Sequence, residues 1–279
     1  MEYFTYKNQS IAYIKKGIGH PILFIHNGGT SHRIWQFQFD ALAEKHQVFA
    51  LDLAGYGQSS AATDYSLNAY TQTIANFIAT IMPNSPITLV GNCMGSAIAL
   101  NFARQQPSRV HSLVLINPLT RTTFQQGKLG VTLSLKKYAS VWVNPLTQWL
   151  SSLSVPNIAI SPSIMMQLGQ QGRQQALWNN VALRECYQNP HEVSAILGLY
   201  HQLNGFALLD DIQPPKDFPP IYTIWGAQNK VLSAQAGQQL NEKLKPTISQ
   251  TFKDCGHLLM LERPSEVTAI IESACSHQH

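Results

Sequence analysis

Ile87-Thr88-Leu89-Val90-Gly91-Asn92-Cys93-Met94-Gly95, followed by Ser96-Ala97-Ile98-Ala99-Leu100-Asn101-Phe102-Ala103, is the stretch on which the reading of this chain turns. Ile87 to Val90 is β-branched and apolar, the pattern of a buried strand. Ser96 to Ala103 opens a helix with small residues. Between them lies a strand-to-helix turn too tight for relaxed backbone, and it lifts the Cys93 side chain above the strand end. Gly91 and Gly95, two residues either side, leave room where a Cβ would clash. A thiol held there lies beside the amide groups of a helix N-terminus. Those amides are expected to lower its pKa and to hold an oxyanion. A buried cysteine is ordinarily a small apolar filler, so Gly-x-Cys-x-Gly alone does not establish chemistry.

The rest of the chain supplies the context. Residues 2–6 and 10–15 read as a hairpin joined by Lys7-Asn8-Gln9. Pro21 to Ile25 is a buried strand ending in His26-Asn27-Gly28-Gly29, and Val48 to Leu51 is another, ending in Asp52-Leu53-Ala54-Gly55-Tyr56-Gly57-Gln58-Ser59. Apolar spacing predicts a helix over Leu67 to Met82 and strands at Val110 to Ile116, Ile221 to Trp225 and Ile248 to Phe252, with a closing helix from Pro264 to Ala274. Strands alternating with helices make an α/β protein: a parallel sheet covered on both faces. Residues 118–213 break this rhythm and read as a helical insertion. Residues 1–117 and 214–279 form the core, and Pro214-Pro215 and Pro219-Pro220 return the chain to it.

Composition narrows the function. The 279 residues carry a net charge of +4 and only 12% charged residues, without a dense Lys/Arg run, so nucleic acid is not an expected partner. A basic-then-apolar leader and a bilayer-length apolar run are both lacking, so no membrane span is expected and a cytoplasmic location is the default. Cys93, Cys186, Cys255 and Cys275 are scattered, without metal-ligand spacing. With no nucleotide-binding loop either, neither metal nor organic cofactor is expected. Nothing sets the oligomeric state.

In this order, the pieces resemble the α/β-hydrolase superfamily over nearly the whole chain. The residues that carry the resemblance are His26-Asn27-Gly28-Gly29, Asp52…Gly55…Gly57…Ser59, the Cys93 turn, Trp225-Gly226-Ala227-Gln228-Asn229 and Gly256-His257. The resemblance implies a mostly parallel sheet of about eight strands, with the insertion folded over the active site as a cap. It also implies Cys93 as nucleophile in the place where the family usually carries serine, and His257 as general base and acid. The oxyanion hole would use the backbone N–H of Met94 and one from the loop after the third strand, at Gly28. His26 and Asp52 are read as braces of their own loops.

This chain departs from the family at position 229. The family places an aspartate there, and here it is Asn229; the alternative position after the sixth strand is Asn117-Pro118. A serine needs a carboxylate behind its histidine. A thiol, with an ordinary pKa of ~8.5, can form a thiolate–imidazolium pair for which an amide oxygen only orients the ring. Cys93, His257 and Asn229 are therefore read as a candidate triad. The rival reading is a chain that lost its carboxylate and kept the fold as a ligand-binding protein. Trp142, Trp149, Met165, Met166, Leu168 and Trp178 make the insertion apolar, which suits a small-molecule ester or thioester with an apolar acyl group. The expected activity is hydrolysis through a thioester on Cys93, with transfer to an alcohol or amine as the alternative.

Overall fold

The computed structural model describes residues 1–83, 85–137, 157–187 and 191–277. Its centre is an eight-stranded sheet: β1 (Glu2–Tyr6), β2 (Gln9–Lys16), β3 (Pro21–Ile25), β4 (Gln47–Leu51), β5 (Ile87–Asn92), β6 (Val110–Ile116), β7 (Ile221–Gly226) and β8 (Ile248–Phe252). Their spatial order is β1-β2-β4-β3-β5-β6-β7-β8. The hairpin strands β1 and β2 run antiparallel, and every pair from β4 to β8 is parallel. Lys7 and Asn8, both left-handed at φ 48° and 61°, make the two-residue hairpin turn, one residue shorter than the sequence suggests.

The central strands read as unbroken apolar runs because both of their faces are covered. On one face lie Leu67, Tyr70, Ile74 and Phe77 of α2 (Leu67–Ile81) and most of α3 (Met94–Gln105). On the other lie Phe39 and Leu42 of α1 (Gln36–Leu42) and Val267, Ile271 and Ala274 of the C-terminal helix (Pro264–Cys275). The short α1 carries no long apolar period and is not evident from the sequence. From β3 the chain steps to β4 on one side and then crosses to β5 on the other. The order therefore reverses between β3 and β5, and Cys93 and the loop after β3 lie at the carboxyl ends of these strands.

Between β6 and β7 the described residues form helices and no strand: Arg121–Gln125, Lys128–Lys137, Asn157–Gln167, Gln170–Gln174, Val181–Cys186 and Glu192–Gln202, with two 3-10 turns. Ile160, Ile164, Leu168 and Leu183 pack into the cluster under α1. Ala195, Phe206 and Leu209 pack into the cluster under α3. Trp142 and Trp149 lie outside the described residues. Leu168 is core, Trp178 is half-buried against it, and Met165 and Met166 face outward. The apolar character of this stretch is thus largely packing and surface.

Candidate active site

Cys93 sits at the turn from β5 to α3 with φ 52° and ψ −110°, backbone that an L-residue adopts only under constraint. The constraint comes from its surroundings. A Cβ on Gly95 would lie 2.0 Å from the Ile25 carbonyl oxygen, and one on Gly91 would lie 2.3 Å from the Gly95 carbonyl carbon. Helix α3 therefore begins at Met94, two residues earlier than its sequence suggests, pressed against the end of β3. The Cys93 N–H donates to Ile116 (2.9 Å), and its carbonyl accepts from Leu119 (3.2 Å).

The loop after β3 is tied to this turn. Asn92 Nδ2 donates to Asn27 Oδ1 (3.0 Å), which also accepts from Thr30 Oγ1 (3.0 Å). Asn27 Nδ2 donates to the Gly28 carbonyl (2.9 Å). His26 lies beneath, donating from Nδ1 to the Asn27 carbonyl (2.7 Å) and accepting at Nε2 from Leu53 (2.9 Å). Burial lowers its pKa to about 4, consistent with a neutral brace. Asp52 likewise holds its own loop, accepting from the His32 and Gln58 amides and the His32 ring. A Cβ on Gly28 would meet Leu199 Cδ2 at 2.9 Å and the Tyr56 hydroxyl at 3.3 Å, so the helix Glu192–Gln202 lies directly over this loop.

His257 and Asn229 are brought together. The imidazole Nδ1 meets Asn229 Oδ1 at 3.2 Å. That oxygen also accepts from Val231 (2.9 Å) and Leu232 (3.0 Å), and these two amides fix which way the side chain points. His257 therefore donates from Nδ1 and keeps an acceptor at Nε2. Asn229 Nδ2 is buried without a partner. Asn117, left-handed at φ 44°, links the parts: its Nδ2 donates to the His257 carbonyl (3.2 Å), and its Oδ1 accepts from Gly226 (3.1 Å). Among the described residues, no hydrogen bond joins the Cys93 thiol to His257.

Electrostatics correct one expectation. Burial pushes the Cys93 thiol up to about 12, and the Met94 amide opposes this only in part. Burial also lowers the His257 pKa to about 3. Cys93 is 6% exposed and His257 2%, so desolvation outweighs the helix N-terminus and both groups rest neutral. Burial thus shifts both groups away from the thiolate–imidazolium pair, opposite to the direction expected from the helix N-terminus.

Glu262 did not emerge from the sequence. Its buried carboxylate accepts from Gly169 (3.0 Å), Gly172 (3.2 Å) and Gly256 (2.9 Å). The available signal was a lone acid closing the apolar run Leu258 to Leu261. The Asn27–Asn92 contact spans 65 residues and left no local signal at all. Among the described residues no group of three His, Cys, Asp or Glu is placed to hold a metal, and no helix is long and apolar enough to cross a membrane.

A family model described as the alpha/beta hydrolase fold matches residues 20–264. The chain belongs to the α/β hydrolase fold family. Among its α/β hydrolase relatives is the monoacylglycerol lipase abhd6-B of Xenopus laevis, 25% identical over 271 residues, covering 95% of this chain and 78% of that protein. The (E)-2-((N-methylformamido)methylene)succinate hydrolase of Acinetobacter baylyi is 26% identical over 155 residues, 54% of this chain and 59% of that one. Among solved structures, a membrane phospholipase A described as a bacterial virulence factor superposes with a TM-score of 0.77 at 25% identity, covering 98% of this chain and 84% of that one. By their names these three relatives are a lipase, a hydrolase and a phospholipase.

Proposed function

We propose that the protein is an acyl-transfer hydrolase that cleaves a carboxylic ester or thioester with an apolar acyl group, using Cys93, His257 and Asn229. The observation that carries the reading is the strained backbone of Cys93, φ 52° and ψ −110°, at the head of α3. Strain of this kind persists where surrounding structure enforces it, and a filler cysteine has no need of it. In the reaction, Sγ attacks the acyl carbon as Nε2 of His257 takes the thiol proton. The carbonyl oxygen gathers negative charge opposite the Met94 and Gly28 N–H groups. The tetrahedral adduct collapses, the bond to the leaving oxygen or sulfur breaks, and His257 protonates that atom. Water then attacks the thioester, giving its proton to Nε2, and the carboxylic acid leaves as Sγ regains the proton. Asn229 keeps the Nδ1 proton in place throughout. The helix Glu192–Gln202 of the insertion acts as a cap over the site, Leu199 lying against Gly28. The free cysteines fit a reducing, cytoplasmic setting.

The near-complete burial of Cys93 and His257 supports a second reading, transfer to a bound alcohol or amine, because a thioester sheltered from water survives to meet an acceptor. Mass spectrometry after mixing with p-nitrophenyl butyrate tests both. A butyryl mass on Cys93, lost in Cys93→Ala and slowed in His257→Ala, is the expected result. Competition between water and added acceptors then separates hydrolysis from transfer. Turnover that persists undiminished in Cys93→Ala refutes the mechanism. Binding with neither adduct nor product supports a ligand-binding protein.

A further inference from the structure

Asp52 and Glu262 are the carboxylates that lie fully buried among the described residues. Asp52 closes its own loop, but Glu262 reaches across two distant parts of the chain. Oε2 accepts from Gly169 and Gly172, at the start of the helix Gln170–Gln174, and Oε1 accepts from Gly256, the residue before His257. The same strip of chain makes three further bonds to the catalytic loops. His257 N–H donates to the Gln167 carbonyl (2.7 Å), Gln171 N–H to the Asp254 carbonyl (3.0 Å), and Gln170 N–H to Gln228 Oε1 (2.8 Å), next to Asn229.

Burying a carboxylate is costly, and here three backbone N–H groups that an apolar side chain would leave unpaired offset that cost. Burial raises the Glu262 pKa, opposed by its bonds from the Gly256, Gly169, Gly172 and Leu258 backbone. Its other charged neighbours lie outward: Arg263 pairs with Asp254 and with Glu266. What the carboxylate supplies, and a leucine would not, is one rigid acceptor shared by the strip 167–172 and the backbone that carries His257.

Building on the proposed role of His257, we infer that Glu262 is a positioning residue: its carboxylate sets the His257 backbone so that Nδ1 meets Asn229, and makes that geometry depend on the strip 167–172 being seated. Lifting the strip removes the Gly169 and Gly172 donors from Glu262 and the acceptor from the His257 amide. A seated strip and an aligned imidazole are therefore one state.

Glu262→Gln in the full chain tests this, with Glu266→Gln in the exposed Arg263 pair as control. The readouts are kcat and KM for p-nitrophenyl butyrate, the hydrogen-bonded Nδ1 proton of His257 by NMR, and amide exchange at Gly169, Gly172 and Gly256. Expected for Glu262→Gln is a fall in kcat of about tenfold or more with KM little changed, loss of the Nδ1 resonance and faster exchange at all three amides. The control should match the parent. An unchanged kcat with the Nδ1 resonance intact overturns the inference, whatever the exchange shows. Should the parent prove inactive on esters, the proposed function fails separately, and the resonance and exchange still decide this inference. If Glu262→Gln does not fold, Glu262→Asp, which keeps the charge on a shorter stem, takes its place.

Discussion

The Asn229 side chain places three donors on one oxygen and leaves its own amide protons unpaired in the interior. A carboxylate would satisfy the same donors and add the negative charge that a serine–histidine pair requires. Cys93→Ser should therefore lower kcat/KM about a hundredfold, and adding Asn229→Asp should restore about tenfold of that loss. Ester hydrolysis by the two variants checks this, and no recovery in the double variant removes position 229 from the mechanism. Two buried histidines predict the acid limit. His26 and His257 have pKa values near 4 and 3 in the fold, against 6.5 when free, so the unfolded chain takes up protons first. Stability is full above about pH 6.5 and falls as pH drops towards those values, by about 2 kcal/mol for each ring by pH 5. Urea midpoints between pH 7.5 and 5 measure the slope, and a flat profile contradicts it. The tight turn at Cys93 and the meeting of His257 with Asn229 were legible because each of these residues follows a recognisable strand-end motif. The direction of the Cys93 shift was not legible, because it depends on how much protein covers the thiol.

Elements are specified here by close approach as much as by periodicity. The Gly95 contact with the Ile25 carbonyl joins α3 to β3, and a methyl group there has nowhere to go. Gly95→Ala should destabilise the protein by about 3 kcal/mol or more, read as a lower urea midpoint. A midpoint equal to the parent's would mean that α3 can slide. The central strands were legible as runs of buried residues, and β8 as Ile248–Phe252 to the residue. Helix α2 ends one residue early because Met82 turns out of helical geometry at φ −134°. The seven residues of α1 were missed because two turns are too few to establish a period.

At the scale of the whole molecule, the described helices between β6 and β7 pack into the two core clusters of the sheet. They supply Ile164 to one core cluster and Phe206 to the other. Phe206→Ala and Ile164→Ala should each cost about 3 kcal/mol and shift one shared transition, with tryptophan fluorescence and far-ultraviolet circular dichroism coinciding. A second, earlier transition would show that these helices unfold on their own. The reversal of strand order between β3 and β5 was not legible in the sequence, since strand pairing is a long-range choice. The same enclosure governs how Cys93 meets the rest of the cell. Burial pushes the thiol's pKa upward, so at neutral pH it is held in the protonated form. Peroxide and alkylating reagents react with thiolate, so they find little to attack. The residue is shielded from conversion to sulfenic acid, and a covalent inhibitor must first displace the protein that covers the thiol before it can react.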